Sequence, residues 1–347
     1  MRRRALRAGG GRRNVAGDDL KLDELIESGL FARYSAAVVR VERGGRVVYE
    51  RAAGTLRDDG GGSCYVDTRF DLASITKVFV ATVALALVAR GVLALDVPLV
   101  GAITLRMMLA HTGGFRSGAD YRTLFGEHIE TFALGEPPVA APGERVVYSD
   151  LGFIALGALL ARITGRALEP LIEDELRALG SERVTFARRA GGTAIPATER
   201  DAWRGLVQGT VHDEKAALAG GVAGHAGLFG DALDVARLGE WYLAPRFGRP
   251  SPLPPDLAAA ATAEAAPDPV LRRGLGWALK TSDENSCGAL MSRETFGHTG
   301  FTGTCIWVDP LRDLNVVMLT NAVHYGRHDL RDVRAAICDA AVEAFAA

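Results

Sequence analysis

The chain has 347 residues, with 40 basic and 42 acidic side chains, a net charge of −2, and 48% hydrophobic residues. That balance belongs to a globular chain able to bury a substantial core, and it excludes a disordered polymer and a strongly basic nucleic-acid binder. Four cysteines (Cys64, Cys287, Cys305, Cys338) without any Cys-x-x-Cys spacing exclude a zinc finger and a dense disulfide framework, so they read as reduced thiols.

Met1 through Gly17 is basic and Gly-rich and lacks the apolar run of a secretory signal. A disordered arm over residues 1–18 and a cytoplasmic location are therefore expected. No stretch reaches the roughly 18 uninterrupted apolar residues of a membrane span. Asp19 to Ser28 reads as a helix with Leu20, Leu22, Leu25 and Ile26 on one side. Ala36 to Val41 and Arg46 to Arg51 read as strands of a hairpin that turns at Arg43-Gly44-Gly45. Cys64 to Leu72 is irregular and leads into a helix carrying the apolar run Val78 to Val88. A short helix over Thr104 to Ala110 stops at His111-Thr112-Gly113-Gly114. Helices follow over Leu151 to Thr164, Pro170 to Leu179 and Asp231 to Tyr242. The Pro-rich pieces Gly135 to Gly143, Arg249 to Pro255 and Ala263 to Pro269 read as loops. Strand character returns at Leu275 to Lys280, Thr304 to Asp309 and Leu314 to Asn321, before a helix over Leu330 to Phe345. Strands at both ends around a helical middle predict one antiparallel sheet drawn from both termini, with the middle inserted as a second lobe.

Ser74-Ile75-Thr76-Lys77 sets a lysine one helical turn after a serine, on the same face, where the amine can reach and activate the hydroxyl. Lysine is rare in the chain, occurring only as Lys21, Lys77, Lys215 and Lys280, so the spacing is not an accident of abundance. Ser74 as a plain helix cap is the bland alternative. Tyr148-Ser149-Asp150 stands ahead of a helix; a tyrosine near that lysine can serve as general base toward Ser74 and proton donor to a leaving group. Phe296-Gly297-His298-Thr299-Gly300-Phe301-Thr302-Gly303-Thr304 puts glycine beside a strand, where backbone must approach another group closely. The Phe301 and Ser74 amides can then hold an oxyanion.

The order Ser-x-x-Lys, Tyr-Ser-Asp, His-Thr-Gly resembles the serine β-lactamase and penicillin-binding-protein superfamily, in its class C-like branch of DD-carboxypeptidases and β-lactamase-like esterases. Phe70-Asp71-Leu72-Ala73, Leu109-Ala110-His111-Thr112-Gly113-Gly114 and Gly224-His225-Ala226-Gly227-Leu228-Phe229 support it. The resemblance covers the chain after about Leu20. It implies a two-lobed α/β (α+β) fold in one catalytic unit, residues 19–347. The α/β lobe would take about 19–75 and 270–347, and the helical lobe about 76–269. It implies an acyl-enzyme on Ser74, proton handling by Lys77 and Tyr148, oxyanion binding at Ser74 and Phe301, and substrate contacts from His298, Thr299, Gly300 and Asp150. No metal or other cofactor is implied, and the partner is a small-molecule substrate.

Two departures narrow the substrate. Asp150 stands where class C enzymes carry asparagine, and an ionised aspartate accepts hydrogen bonds without donating; it can instead pair with Lys77 and raise its pKa. His298 replaces the lysine of Lys-Thr-Gly, and a neutral imidazole attracts a carboxylate less than an ammonium. Both favour an esterase or peptidase over an efficient β-lactamase. The expected function is serine acyl hydrolysis of a small ester, amide or peptidoglycan-derived compound, with D-Ala-D-Ala carboxypeptidase, weak class C-type β-lactamase, or an idle ligand-binding relative as alternatives. Val211-His212-Asp213-Glu214 with His225 contains metal-ligand types but no ligand spacing, and reads as a loop beside the cleft. Lys280-Thr281-Ser282 lacks the glycine of Lys-Thr-Gly. His111 is expected to cap a helix behind the site, Arg116 is a minor candidate for a substrate carboxylate, and Trp241, Trp277 and Trp307 read as core.

Overall fold

The computed structural model describes residues 20–187, 192–268, 270 and 272–346; the arm expected over residues 1–18 lies outside them. The first part runs α1 (Leu20–Gly29), β1 (Ala36–Arg43), β2 (Arg46–Arg57), β3 (Gly60–Ser63), β4 (Phe70–Asp71) and α2 (Ile75–Ala89). The middle runs β5 (Pro98–Val100), β6 (Ile103–Thr104), α3 (Leu105–Leu109), α4 (Ile129–Gly135), α5 (Asp150–Thr164), α6 (Leu168–Ala178), β7 (Thr185–Phe186), β8 (Glu199–Asp201), β9 (Gly205–Val207), α7 (Glu214–Leu218), β10 (Leu228–Gly230), α8 (Ala232–Leu243) and α9 (Pro255–Thr262). The last part is β11 (Ala278–Leu279), β12 (Phe296–Thr299), β13 (Cys305–Asp309), β14 (Leu314–Thr320) and α10 (Arg331–Phe345).

Seven strands form one sheet in the order β11-β12-β13-β14-β1-β2-β3. Its central ladder joins the two ends of the chain: β1 lies antiparallel to β14 from Ala37 opposite Thr320 to Arg43 opposite Leu314. Side chains alternate across a strand, and both faces of this sheet are covered. Val317 and Leu319 of β14 join Val38 in the core that includes α8 and α2, while Val316 and Met318 join Val39 and Val41 in a second core with Leu22, Ile26 and Ile337 of α1 and α10. Two-sided burial explains why the middle of β14, Val316 to Leu319, reads as an unbroken apolar run. α2 is apolar all round, with Ile75 through Leu87 buried, which makes it an interior helix. It packs between α5, α6 and β12 and so carries its N-terminus to the junction of sheet and helical lobe.

Among the described residues no single helix is long and apolar enough to cross a membrane, and the four cysteines are buried free thiols. Trp241, Trp277 and Trp307 are buried as expected. Two expected elements differ. The strand expected over Leu275 to Lys280 shortens to Ala278–Leu279, because the chain just before it bends through Gly276 at φ +83° and ties back through Leu275 N–H to Ala261 O and Gly276 N–H to Leu109 O. The segment read as irregular, Cys64 to Leu72, contains β4, which pairs with β10 at Phe229–Asp71 and Gly230–Phe70; two residues are too few to show strand periodicity.

The close approach expected at Gly297 is present: a Cβ there would lie 2.2 Å from the Ile306 carbonyl and 2.3 Å from the Trp307 ring. Gly297→Ala is therefore expected to cost about 1–3 kcal/mol through overpacking. Chemical denaturation followed by circular dichroism checks this, and an unchanged midpoint would contradict the packing described.

Candidate active site

Ser74 caps the N-terminal end of α2, yet its side chain makes no capping hydrogen bond. The hydroxyl instead accepts from Lys77 Nζ at 2.9 Å, so the bland capping alternative does not hold. The turn that delivers Ser74 is forced: Ala73 sits at φ +46°, a left-handed conformation unfavourable for a residue with a Cβ. Asp71 holds it there. Its fully buried carboxylate accepts the Ala73 amide at 2.8 Å and the His212 amide at 2.6 Å, while burial raises its pKa. Thr302 Oγ1 donates to the Asp71 carbonyl at 2.8 Å and Thr304 Oγ1 to the Leu72 carbonyl at 3.3 Å. A Cβ at Gly300 would meet Thr304 Oγ1 at 2.1 Å and the Leu72 carbonyl at 2.7 Å. The glycine after His298-Thr299 is thus what lets the end of β12 lie against the Ser74 turn.

Lys77 is fully buried. Burial opposes its positive charge, but Asp150 and Tyr148 beside it outweigh that, and its pKa stands above the ordinary lysine value. The Asp150 carboxylate lies 2.9 Å from Lys77 Nζ and 3.3 Å from Lys215 Nζ. Burial works against that carboxylate too, yet Lys77, His225 and Lys215 hold its pKa below the usual range. Lys215 also reaches Asp213 at 3.1 Å, and Asp213 contacts His225 Nε2 at 2.7 Å. The His225 carbonyl returns to Lys77 Nζ at 3.3 Å. The chain of contacts Lys77–Asp150–Lys215–Asp213–His225 closes on itself.

Asp150, Asp213 and His225 present donor atoms within 4.8 Å of one another; Asp213 and His225 are among the metal-ligand types noted in the sequence, whereas Asp150 is not. Their carboxylates already face two ammonium groups. A divalent cation there would add positive charge to positive charge, so the donor set suits lysine better than metal.

Tyr148 precedes α5, held by its neighbour: the Ser149 amide donates to His111 Nδ1 at 3.1 Å, and Ser149 Oγ caps α5 by accepting the Gly152 amide at 2.8 Å. His111 therefore fixes the residue ahead of the helix rather than capping a helix end; burial holds its imidazole well below its usual pKa. The Tyr148 ring lies 5.0 Å from Lys77 Nζ and 4.8 Å from the Arg273 guanidinium carbon. His298 stands 6.0 Å from that ring, and burial, reinforced by Arg273 and Lys77, pushes its pKa down to about 3. It is a neutral imidazole whose Nδ1 pairs with the Thr299 carbonyl at 2.8 Å.

Ser74, Tyr148, His298, Thr299, Gly300 and Phe301 line one cleft of about 700 Å³. Among the described residues neither the Ser74 nor the Phe301 amide donates to a protein acceptor, which leaves two N–H groups free at its floor. All eight residues expected to form the site are thus brought together, with Lys77 and Asp150 beneath the cleft surface. Arg116 is not: it pairs with Glu136 at 2.8 Å. Lys280 turns into the protein, donating to the Ala289 and Met291 carbonyls at 2.9 and 2.7 Å. Sequence reasoning missed Lys215, Asp71 and Arg273. Lys215 had a signal: an aspartate in place of asparagine beside Lys77 calls for a second cation, and only four lysines were available. Arg273 had none, one arginine among many.

A hydroxyl bonded to an ammonium, a phenol alongside and two free amides is an arrangement for nucleophilic attack on a carbonyl. The family model described as Beta-lactamase matches residues 22–340. The chain is 28% identical to a "Putative D-alanyl-D-alanine carboxypeptidase" of Escherichia coli (strain K12), covering 88% of this chain and 82% of the relative. It is 30% identical to an "N-acetylmuramyl-L-alanine amidase" of Bacillus subtilis (strain 168), covering 88% and 81%. The crystal structure of a beta-lactamase from Mycobacterium bovis superposes with a TM-score of 0.66 at 26% identity, covering 93% of this chain and 98% of that one. The fold, the cleft and these likenesses agree: the chain belongs to the Beta-lactamase family and is a hydrolase of the serine β-lactamase type.

Proposed function

We propose that the protein hydrolyses a small ester, amide or peptidoglycan-derived substrate through an acyl-enzyme on Ser74. The observation that carries this reading is the 2.9 Å contact between Ser74 Oγ and Lys77 Nζ at the floor of a cleft where two amides are free. Lys77 is held as an ammonium by Asp150, so it donates to Ser74 Oγ and stabilises the oxygen as it loses its proton. Tyr148, acting as a phenolate beside the Lys77 ammonium, takes that proton and becomes the phenol as the Ser74 Oγ–carbonyl bond forms. The oxyanion lies between the Ser74 and Phe301 amides. The bond to the leaving group then breaks, and Tyr148 returns the proton to the departing atom. Water attacks the acyl ester next, giving a proton to Tyr148, and the acid leaves as Ser74 is reprotonated.

Within this class, the names of the E. coli and B. subtilis relatives favour an amide of peptidoglycan origin. The neutral His298 and the acceptor-only Asp150 weigh against efficient β-lactam hydrolysis, since neither supplies the donor that lysine and asparagine bring to that class.

Ser74→Ala is expected to abolish hydrolysis of p-nitrophenyl acetate. Lys77→Ala and Tyr148→Phe should each lower kcat/KM by about 10² or more, less than additively because they act as a unit. Steady-state kinetics checks this; near-normal turnover by Ser74→Ala would overturn the mechanism.

Asp150→Asn separates the roles of Lys77 and Tyr148. The aspartate raises the Lys77 pKa, so its removal lets the ammonium lose its proton at lower pH. With Lys77 acting as ammonium, the alkaline limb of kcat/KM against pH moves to lower pH. A base role for Lys77 would instead move the acid limb down and raise activity near neutrality.

A further inference from the structure

His212, one of the metal-ligand types noted in the sequence, serves no step of the mechanism above, yet it touches both halves of the oxyanion site. Its main chain meets the Ser74 half: the His212 amide donates to the Asp71 carboxylate at 2.6 Å, and the other oxygen of that carboxylate holds the Ala73 amide just ahead of Ser74. Its ring meets the Phe301 half, stacking on the Phe301 ring with centroids 5.6 Å apart and an interplanar angle of 23°. That imidazole is fixed in turn. Glu199 Oε2 lies 3.0 Å from His212 Nε2, and because an ionised carboxylate only accepts, Nε2 carries the proton. The hydrogen bond from His212, reinforced by Arg327, brings the Glu199 pKa down to about 2. Arg327 forks onto the same carboxylate at 3.0 and 2.9 Å and sets its guanidinium carbon 5.7 Å from the centre of the Phe301 ring. Arg204 Nη1 donates to the His212 carbonyl at 2.9 Å.

His212 is buried, whereas Phe301 is 57% exposed. Glycine stands at 300 and 303, so the turn carrying Phe301 has little stiffness of its own. A buried ring and a guanidinium beside the exposed one restrain it, and with it the peptide whose N–H is one of the two free amides of the cleft. Resting on the Ser74 acyl-enzyme reading, we propose that His212 is a positioning residue for the oxyanion hole: its amide and its ring together set the separation of the Ser74 and Phe301 N–H groups. Preorganised donors stabilise an oxyanion only where they are correctly placed, and a displacement of about 1 Å costs about 10²-fold. The β8–β9 hairpin, which supplies Glu199 and Arg204, thereby supports the chemistry although neither residue lines the cleft.

Two ketones, 2,2,2-trifluoroacetophenone and acetophenone, separate the oxyanion site from the rest of the cleft. Ser74 Oγ adds to the carbonyl carbon of the first, its proton passes to Tyr148, and the carbonyl electron pair becomes an oxyanion; the second binds as the intact ketone. Inhibition constants for both are measured beside kcat/KM for p-nitrophenyl acetate. The wild type is expected to bind the trifluoro ketone at least about tenfold more tightly. In His212→Ala, which keeps the amide, that preference falls toward one and kcat/KM drops about 10- to 100-fold, with acetophenone binding little changed. His212→Phe, which keeps a ring to stack, restores part of both. An unchanged preference in a folded His212→Ala, or an equal weakening of both ketones, overturns the proposal. Should His212→Ala fail to fold, Phe301→Ala decides, because it removes the exposed ring and keeps the amide: the same selective loss supports the proposal, and an unchanged preference overturns it. Ser74→Ala is run with both ketones. A preference that survives there, or is missing from the wild type, defeats the acyl-enzyme reading and the proposal with it; one that needs Ser74 but neither ring defeats only the role of His212.

Discussion

The site depends on a single buried charge. Lys77 is enclosed on all sides, and an ammonium removed from water is tolerated only with close anionic and hydrogen-bonding partners. Its oxygen partners include the Asp150 carboxylate and the Ser74 hydroxyl at 2.9 Å, and the His225 carbonyl at 3.3 Å. These come from three separate parts of the chain, so satisfying one ammonium fixes the start of α5, the N-terminus of α2 and the turn before β10 against one another. That constraint brings Ser74 to the cleft with its hydroxyl already hydrogen-bonded.

Placing an aspartate at residue 150 has consequences that travel outward. An amide there would leave Lys77 beside a neutral dipole. The carboxylate instead attracts a second cation, Lys215, which needs its own anion, Asp213, which in turn engages His225. Each member is buried or half-buried, and removing any one exposes the next to an unmatched charge. The same logic makes Arg273 conspicuous. Among the described residues its guanidinium forms no ion pair, and it lies 4.8 Å from the centre of the Tyr148 ring.

Much of the architecture was legible in the sequence because it depends on local pattern. The valine-rich segment Ala36–Val41 and the apolar run Val316–Leu319 marked the central strands, and the glycines of Gly297-His298-Thr299-Gly300 marked a close backbone approach that the packing against Ile306, Trp307 and Leu72 accounts for. The grouping of Ser74, Lys77, Tyr148 and His298 could be anticipated from motif spacing together. Less visible were features set only by tertiary contact. The two-residue strand β4 exists because β10 comes to it from more than 150 residues away. The strained Ala73 is stable only because Asp71, Thr302 and Thr304 clamp the turn. Lys215 and Arg273 owe their importance to what lies opposite them in space, which no window of sequence displays.

The central claim is a covalent bond to one oxygen, and mass spectrometry observes it directly. Wild type and Ser74→Ala would be mixed with a slowly released acyl donor or a fluorophosphonate, quenched, and digested. A mass increase on the peptide carrying Ser74, absent from Ser74→Ala, is the predicted result. An adduct on another residue, or one retained in Ser74→Ala, would contradict the assignment of Ser74 as nucleophile.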